Sequence, residues 1–283
     1  MDGGITIGAY FSDDVRMQDR MRPMGREESL AVARGRLSDG VSRMAGGVSF
    51  PSGCVLSLDD LAPTINDVAH GWTALAFGLQ GCRVMRTEDG VVRSVEFEWS
   101  HSCAADGLER ASECVQAAQT MAHDATSAHG YDVLGLCEYV HDAIAESCEY
   151  ADGNHGLQDA YDALCGGRAV CGGISRAFEC VMGVLGVRTA SVMSEAMNHQ
   201  WSMVDADGIW YHVDVTYDLP NGMHSFGSTG IRRNDVSHDC LLRSDDAMTL
   251  TGHHDWHLNV MCEQGVNLTP PAAPYDCPRQ MIR

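Results

Sequence analysis

The chain has 283 residues, which is one large domain or two modest ones, and its 45% apolar content is enough for a packed core. With 39 acidic against 19 basic side chains, the formal charge is −20. Such a surface repels phosphate backbones and anionic lipid, which argues against nucleic-acid and membrane-surface partners, and no apolar run is long enough for a spanning helix.

All 19 basic residues are Arg, so any chemistry that needs a Lys base, Schiff base or phosphate-loop Lys is excluded. The start, Met1-Asp2-Gly3-Gly4, lacks the basic and apolar regions of a signal peptide, and a cytoplasmic protein is expected. The 12 Cys contain no C-x-x-C pair, so zinc ribbons and thioredoxin-like redox motifs are unsupported. Most of these thiols read as small buried hydrophobes.

Residues 1–24 show no sustained period and read as a polar arm. Glu27 to Met44 reads as a helix, with Leu30, Ala33, Leu37 and Val41 on one face. Ser57 followed by Asp60 marks a second helix start, running to about His70, with Pro63 tolerated only in its early turns. Cys82–Thr87 and Val91–Ser100 flank the turn signal Glu88-Asp89-Gly90 and read as a hairpin. Two helices follow, about Leu108–Ala128 and Val133–Glu149, the second with a Leu136, Val140, Ala143, Ile144 stripe. A short helix over Leu157–Leu164 is ended by Gly166-Gly167.

From Cys171 to Leu185 apolar residues recur at helical spacing, and Gly186 closes the run. The period then switches to two. Arg188–Met193, His199–Val204 and Ile209–Asp214 read as three strands, the last two joined across Asp205-Ala206-Asp207-Gly208. Helices followed by a meander make an α+β plan. Beyond residue 218 the sequence supports only a short helix near Ser244–Leu250 and an irregular strap from Pro270 to Arg283. The expected division is an N-terminal region, 1–100, of unread function, and a catalytic domain, 101–283.

The chemistry concentrates in 165–218. Cys171 stands where a loop becomes a helix, so unpaired N–H groups and the positive helix end favour thiolate. Gly172 and Gly173 leave room for a substrate carbonyl to approach those N–H groups, which could hold a tetrahedral oxyanion. His199 and Asp214 flank a turn centred near 206–207. For an even-length loop they share a face, opposite or one diagonal step apart. A carboxylate there orients an imidazole, and the imidazole exchanges a proton with the thiol and the leaving group.

Each residue alone has an ordinary structural explanation: a packed thiol, a satisfied strand histidine, a turn-forming Asp. The conjunction is the signal, because all three fall at element ends with agreeing face parity. His212 shares the face of Asp214 but lies on the same strand, so His199 is the expected base. His253-His254-Asp255-Trp256-His257 is a weak metal signal, and no metal or cofactor is expected. Cys165 and Cys180 read as filler near Cys171.

These residues resemble the transglutaminase-like superfamily, whose core carries a papain-like Cys/His/Asp arrangement. Cys171-Gly172-Gly173 matches its G-x-C-x-G block, and His199-Gln200-Trp201 its H-x-W block. Trp210 to Asp218 matches its W/Y…D-x-T-(W/Y)-D block. The resemblance covers about 130–260. Ile174 and Ser175 depart from the aromatic and Ala usual after the nucleophile. The resemblance implies Cys171 as nucleophile, His199 as base and Asp214 as orienter, with Asp218 as a supporting acid and runner-up orienter. Trp201 would be wall or support. The implied activity is acyl transfer from a peptide or glutamine carboxamide through a thioester, hydrolytic rather than cross-linking, on a protein or peptide substrate. The alternative is a silent core of the same fold used as a binding module.

Overall fold

The structure, a computed structural model, describes residues 23–100, 106–152, 156–220, 235–261 and 268–278. In the N-terminal region, α1 (Arg26–Ser42) leads to β1 (Gly47–Ser49), α2 (Leu58–Ala69), α3 (Trp72–Ala76), β2 (Leu79–Arg86) and β3 (Val92–Trp99). The helical middle comprises α4 (Gly107–His129), α5 (Val133–Ser147), β4 (Glu149–Tyr150), α6 (Ala160–Leu164), β5 (Arg168–Ala169) and α7 (Cys171–Val184). The last part holds β6 (Thr189–Ser194), β7 (His199–Ala206), β8 (Ile209–Val213), α8 (Val215–Asp218), β9 (Leu241–Arg243), α9 (Asp245–Leu250) and β10 (His257–Leu258). Most of the sheet pairing is antiparallel, and the class is α+β. No helix among the described residues is long and apolar enough to cross a membrane.

The α2 start forms as its sequence dictates. The Ser57 hydroxyl accepts from Asp60 N–H, and the Asp60 carboxylate accepts from Ser57 N–H, a reciprocal capping box. The β2–β3 hairpin turns at Gly90, where φ is +85°. An added strand, β1, pairs along the outer side of β3 and completes a three-stranded sheet over α1 and α2. Three-residue strands carry too little alternation to be read from sequence.

The helix α7 is the centre of the second core. Every residue from Gly172 to Met182 is buried, Arg176 and Glu179 included. A helix covered all round must satisfy its charges internally. Glu179 accepts from the Ser202 hydroxyl on β7 at 2.9 Å, and Arg176 donates to the Gln158 carbonyl at 3.2 Å. Around α7 lie α4, α5 and α6 with their Ala and Cys stripes (Ala111, Cys114, Ala118, Ala122 and Ala125 on α4). The N-terminal region docks through α3, which packs on α7 close enough that a Cβ on Gly183 would lie 2.9 Å from Trp72 Cβ.

The five-stranded sheet runs β10-β6-β7-β8-β9. Its one face, with Val204, Ala206 and Val213, packs against the α7 core. Its other face, with Val192, Trp201 and Met203, packs against Met248 of α9 and Ala273 of the C-terminal strap. The β7–β8 connection is shorter than the four residues expected. The ladder continues to Ala206↔Ile209, leaving Asp207-Gly208 alone in the turn, with φ of +56° and +86°. Two successive positive φ values are the type I′ geometry for which Asp-Gly is suited. The turn still has an even length, so side-chain parity is unchanged. The α6 start also moves: the helix begins at Ala160 with Asp159 as N-cap, not at Leu157, and 157–158 form the loop against α7.

Candidate active site

Cys171 is the first residue of α7, with Val170 as N-cap and the first intrahelical bond running from Ile174 N–H to Val170 O. The earlier N–H groups of the turn therefore have no intrahelical acceptor. His199 is the first residue of β7, the central strand. Asp214 follows β8 directly and caps α8. In the observed register Asp214 falls opposite Trp201, so it is one diagonal step from His199 on the same face. The hairpin thus joins carboxylate to imidazole, and the end of α7 brings the thiol to the imidazole.

The contacts form a chain. Asp214 Oδ2 lies 2.6 Å from His199 Nε2. The remaining nitrogen, Nδ1, is the one left for the Cys171 thiol, with which His199 hydrogen-bonds. The second Asp214 oxygen accepts from Thr216 and Tyr217 N–H at 2.9 and 3.2 Å. One carboxylate therefore caps α8 and orients the imidazole. Both His199 and Asp214 are buried, while Cys171 is partly exposed.

The electrostatics follow from that chain. Burial alone would raise the Cys171 pKa. The hydrogen bond and positive charge of His199, with the Gln200 N–H, outweigh burial, and the thiol is held below its ordinary value. Burial alone would lower the His199 pKa. The Asp214 charge and hydrogen bond, together with Cys171, push it up to about 10. Asp214 is held well below the carboxylate range despite burial, chiefly by His199. The two shifts run in the direction that favours a thiolate–imidazolium pair, backed by the Asp214 carboxylate.

This sets a pH dependence of stability. Asp214 has a lowered folded pKa, so its contribution is present above 3.8 and is lost as pH falls through the folded value. His199 has a raised folded pKa, so its contribution is full below 6.5 and fades as pH rises through about 10. Denaturant unfolding from pH 3 to 10 should show wild type losing stability relative to Asp214→Asn at the acid end. At the alkaline end wild type should lose stability relative to His199→Gln.

Trp201 is fully buried and stacks on His199 with ring centroids 5.6 Å apart and planes 18° apart. It is a support and not an exposed wall. Its Nε1–H donates to His212 Nδ1 at 3.0 Å, which leaves the other His212 nitrogen to donate to Asp245 at 2.8 Å. Indole is donor only, so His212 is fixed as the neutral Nε2–H tautomer and cannot serve as base. Asp218 is not beside His199. It faces His141 Nε2 at 3.2 Å and Cys240 N–H at 3.0 Å, which removes it as runner-up orienter.

The two glycines differ. A Cβ on Gly172 would meet only Gln200 and Gln158 side chains, at 3.5 Å or more. A Cβ on Gly173 would sit 2.8 Å from Ala169 Cβ and 3.0 Å from the Leu157 and Asp159 carbonyls. The space at Gly173 is filled by protein and not left open for a substrate. Gly173→Ala should cost about 1–3 kcal/mol in denaturant unfolding, because backbone must shift.

His253, set aside in the sequence as part of a weak metal cluster, belongs to this site. Its Nε2 is 2.9 Å from the same Asp214 Oδ2, and Thr251 Oγ1 is 2.9 Å from its Nδ1. Nothing in the local sequence signals this, because it depends on how the loop after α9 folds over the sheet. Tyr217, the aromatic of the D-x-T-(W/Y)-D block, and Tyr150, which no motif singles out, also border the site. Tyr217 lies 4.8 Å from the His199 ring, and the Tyr150 hydroxyl takes a backbone hydrogen bond from Cys171. That oxygen marks where an acceptor meets the first N–H of α7. Cys180 is buried, while Cys165 is exposed.

No family model and no curated protein matches the sequence. Among solved structures, the chain is similar to a TGase at 12% identity and a TM-score of 0.36, over 47% of this chain and 43% of that one. It thus spans less than half the length of that protein. It is also similar to a protein from Cytophaga hutchinsonii, provisionally named a cysteine protease, at 11% identity and a TM-score of 0.29, over 69% of this chain and 78% of that one.

Proposed function

We propose that the protein is a cysteine-nucleophile acyl-transfer enzyme acting on a peptide or glutamine carboxamide, with water as the usual acceptor. The observation that carries this reading is the Cys171–His199–Asp214 chain, with its lowered thiol and raised imidazole.

The Cys171 thiolate attacks the carboxamide carbon, and the carbonyl oxygen becomes an oxyanion. The N–H groups at the α7 start, which have no intrahelical acceptor, stabilise it, with the Tyr150 hydroxyl displaced from Cys171 N–H. The His199 imidazolium gives its proton to the leaving nitrogen as the C–N bond breaks, releasing amine or ammonia and leaving a thioester. Water then attacks the thioester. Neutral His199 takes the water proton, the C–S bond breaks, and acid and thiolate–imidazolium are regenerated. Asp214 keeps the Nε2–H tautomer throughout, so that Nδ1 faces sulfur.

The test is to incubate the protein with a library of glutamine-containing peptides and quench in acid. Mass mapping should find an acyl adduct on Cys171 that has lost ammonia or an amine. Peptide cleavage or free ammonia should accumulate, and adding hydroxylamine should divert the product to hydroxamate. Absence of any adduct, with Cys171 nonetheless reactive to small alkylators, would favour the alternative of a peptide-binding core.

A further inference from the structure

A second constellation lies outside the Cys171 site. His141 and Asp142 are adjacent on α5, and His238 stands in the segment leading into β9. Asp142 Oδ1 is 2.8 Å from His141 Nδ1 and 2.7 Å from His238 Nε2. The three ligand atoms, one from each residue, lie within 4.8 Å of one another. The His141 ring is fully buried, and its far nitrogen, Nε2, faces Asp218 Oδ2 at 3.2 Å.

Proton counting makes this arrangement unusual. A neutral imidazole carries one N–H. His141 meets a carboxylate oxygen at both nitrogens, so one of those contacts needs an additional cation between lone pairs. A proton can fill that role, and so can a metal ion. If a divalent ion takes His141 Nδ1, the ring keeps its proton on Nε2 and donates that N–H to Asp218. A ligating His whose far N–H is held by a buried carboxylate is the usual way proteins orient a metal ligand.

We infer that His141, Asp142 and His238 form a binding site for a divalent transition cation of the zinc class, with Asp218 as the carboxylate that orients His141. Two imidazoles and one carboxylate suit Zn²⁺, Co²⁺ or Ni²⁺ better than Mg²⁺ or Ca²⁺, which prefer all-oxygen shells. Three protein ligands leave a fourth position for water. Metal–ligand bonds of about 2.0–2.1 Å in tetrahedral array need ligand atoms about 3.3 Å apart, so the cluster must open by several tenths of an ångström. Asp142 and His238 can make that movement, with side chains 34% and 22% exposed, whereas His141 is fixed by its burial. A groove of about 230 Å³ lined by Asp142, Glu138 and Glu146 provides an approach whose carboxylates attract a cation.

The similar cluster of His199, His253 and Asp214 is a different case. There one carboxylate oxygen is held by two backbone N–H groups, and His199 is engaged by Cys171. The cluster on α5 is not part of that chain. A metal there would tie α5, the segment before β9 and, through Asp218, α8 together, and α8 is the helix that Asp214 caps.

The experiment strips the full-length chain with a chelator and titrates it with Co²⁺ as the probe. One equivalent should produce the visible absorption of four-coordinate Co²⁺, and Zn²⁺ should displace it. Asp142→Asn and His238→Gln, both at partly exposed positions, should each weaken binding at least ~10-fold, and Asp218→Asn about 10–100-fold. His253→Gln should leave the band unchanged. Absence of stoichiometric binding, or a band that survives both Asp142→Asn and His238→Gln, would overturn the inference. So would a band with thiolate charge-transfer that disappears in Cys171→Ala, since it would place the ion at the other cluster.

Discussion

Replacing Cys171 with Ala should abolish acyl transfer while leaving the protein folded. In the proposed mechanism the sulfur is the atom that bonds the substrate carbon, and Cys171 combines a helix start with a hydrogen bond to an imidazole. In a working nucleophile–base–orienter set, deletion of the nucleophile costs about 10⁶-fold, down to the residual effect of the oxyanion donors and binding. The stability cost should be small, within about 1 kcal/mol, because Cys171 is partly exposed and His199 keeps its Asp214 bond. Ammonia or amine release, measured beside a denaturant curve, separates the two effects. Turnover by Cys171→Ala near the wild-type rate would refute the assignment of the nucleophile.

The second large effect is expected at Asp214. In Asp214→Asn the side-chain oxygen is needed by Thr216 and Tyr217 N–H, which turns the NH₂ toward His199 and His253. An NH₂ there cannot accept from Nε2–H, so His199 must take the Nδ1–H tautomer, which presents a proton and not a lone pair to Cys171. The rate should fall by about 10⁴-fold with the fold retained. Asp214→Ala should be worse for stability, about 3–5 kcal/mol, since it strands two buried imidazole N–H groups and the α8 cap. Steady-state rates and unfolding curves on both variants check the contrast. Equal stability loss in Asn and Ala would mean the oxygen toward α8 is not what holds the loop.

The sequence made much of this site legible for particular reasons. Cys171 stands out because a loop ending in Gly-rich sequence meets an apolar helical run, and α7 indeed begins at that residue. The His199/Asp214 parity holds because a hairpin with an even loop keeps it, whether the loop has four residues or the two observed. The α2 start was equally plain, since Ser57 and Asp60 cap each other within four residues. What failed to show were contacts made over long separations. His253 reaches Asp214 from 39 residues away, and His141 reaches Asp218 from 77. An apolar stripe on α7 also said nothing of its other face, where Arg176 and Glu179 are covered by the 157–159 loop, β7 and the N-terminal region. The short β1, β4, β5 and β10 carry two or three residues each, too few for alternation to register. The expected 1–24 arm lies almost wholly outside the described residues.

The most direct measurement of the account is the rate of iodoacetamide labelling of Cys171 against pH, read by peptide mass mapping to separate it from the other thiols. The thiolate–imidazolium pair predicts labelling with a midpoint below the ordinary thiol value of about 8.5. In His199→Ala the midpoint should move above that value, because burial then acts on the thiol without its partner. A wild-type midpoint at or above about 8.5, unchanged by His199→Ala, would contradict the pair and the mechanism built on it.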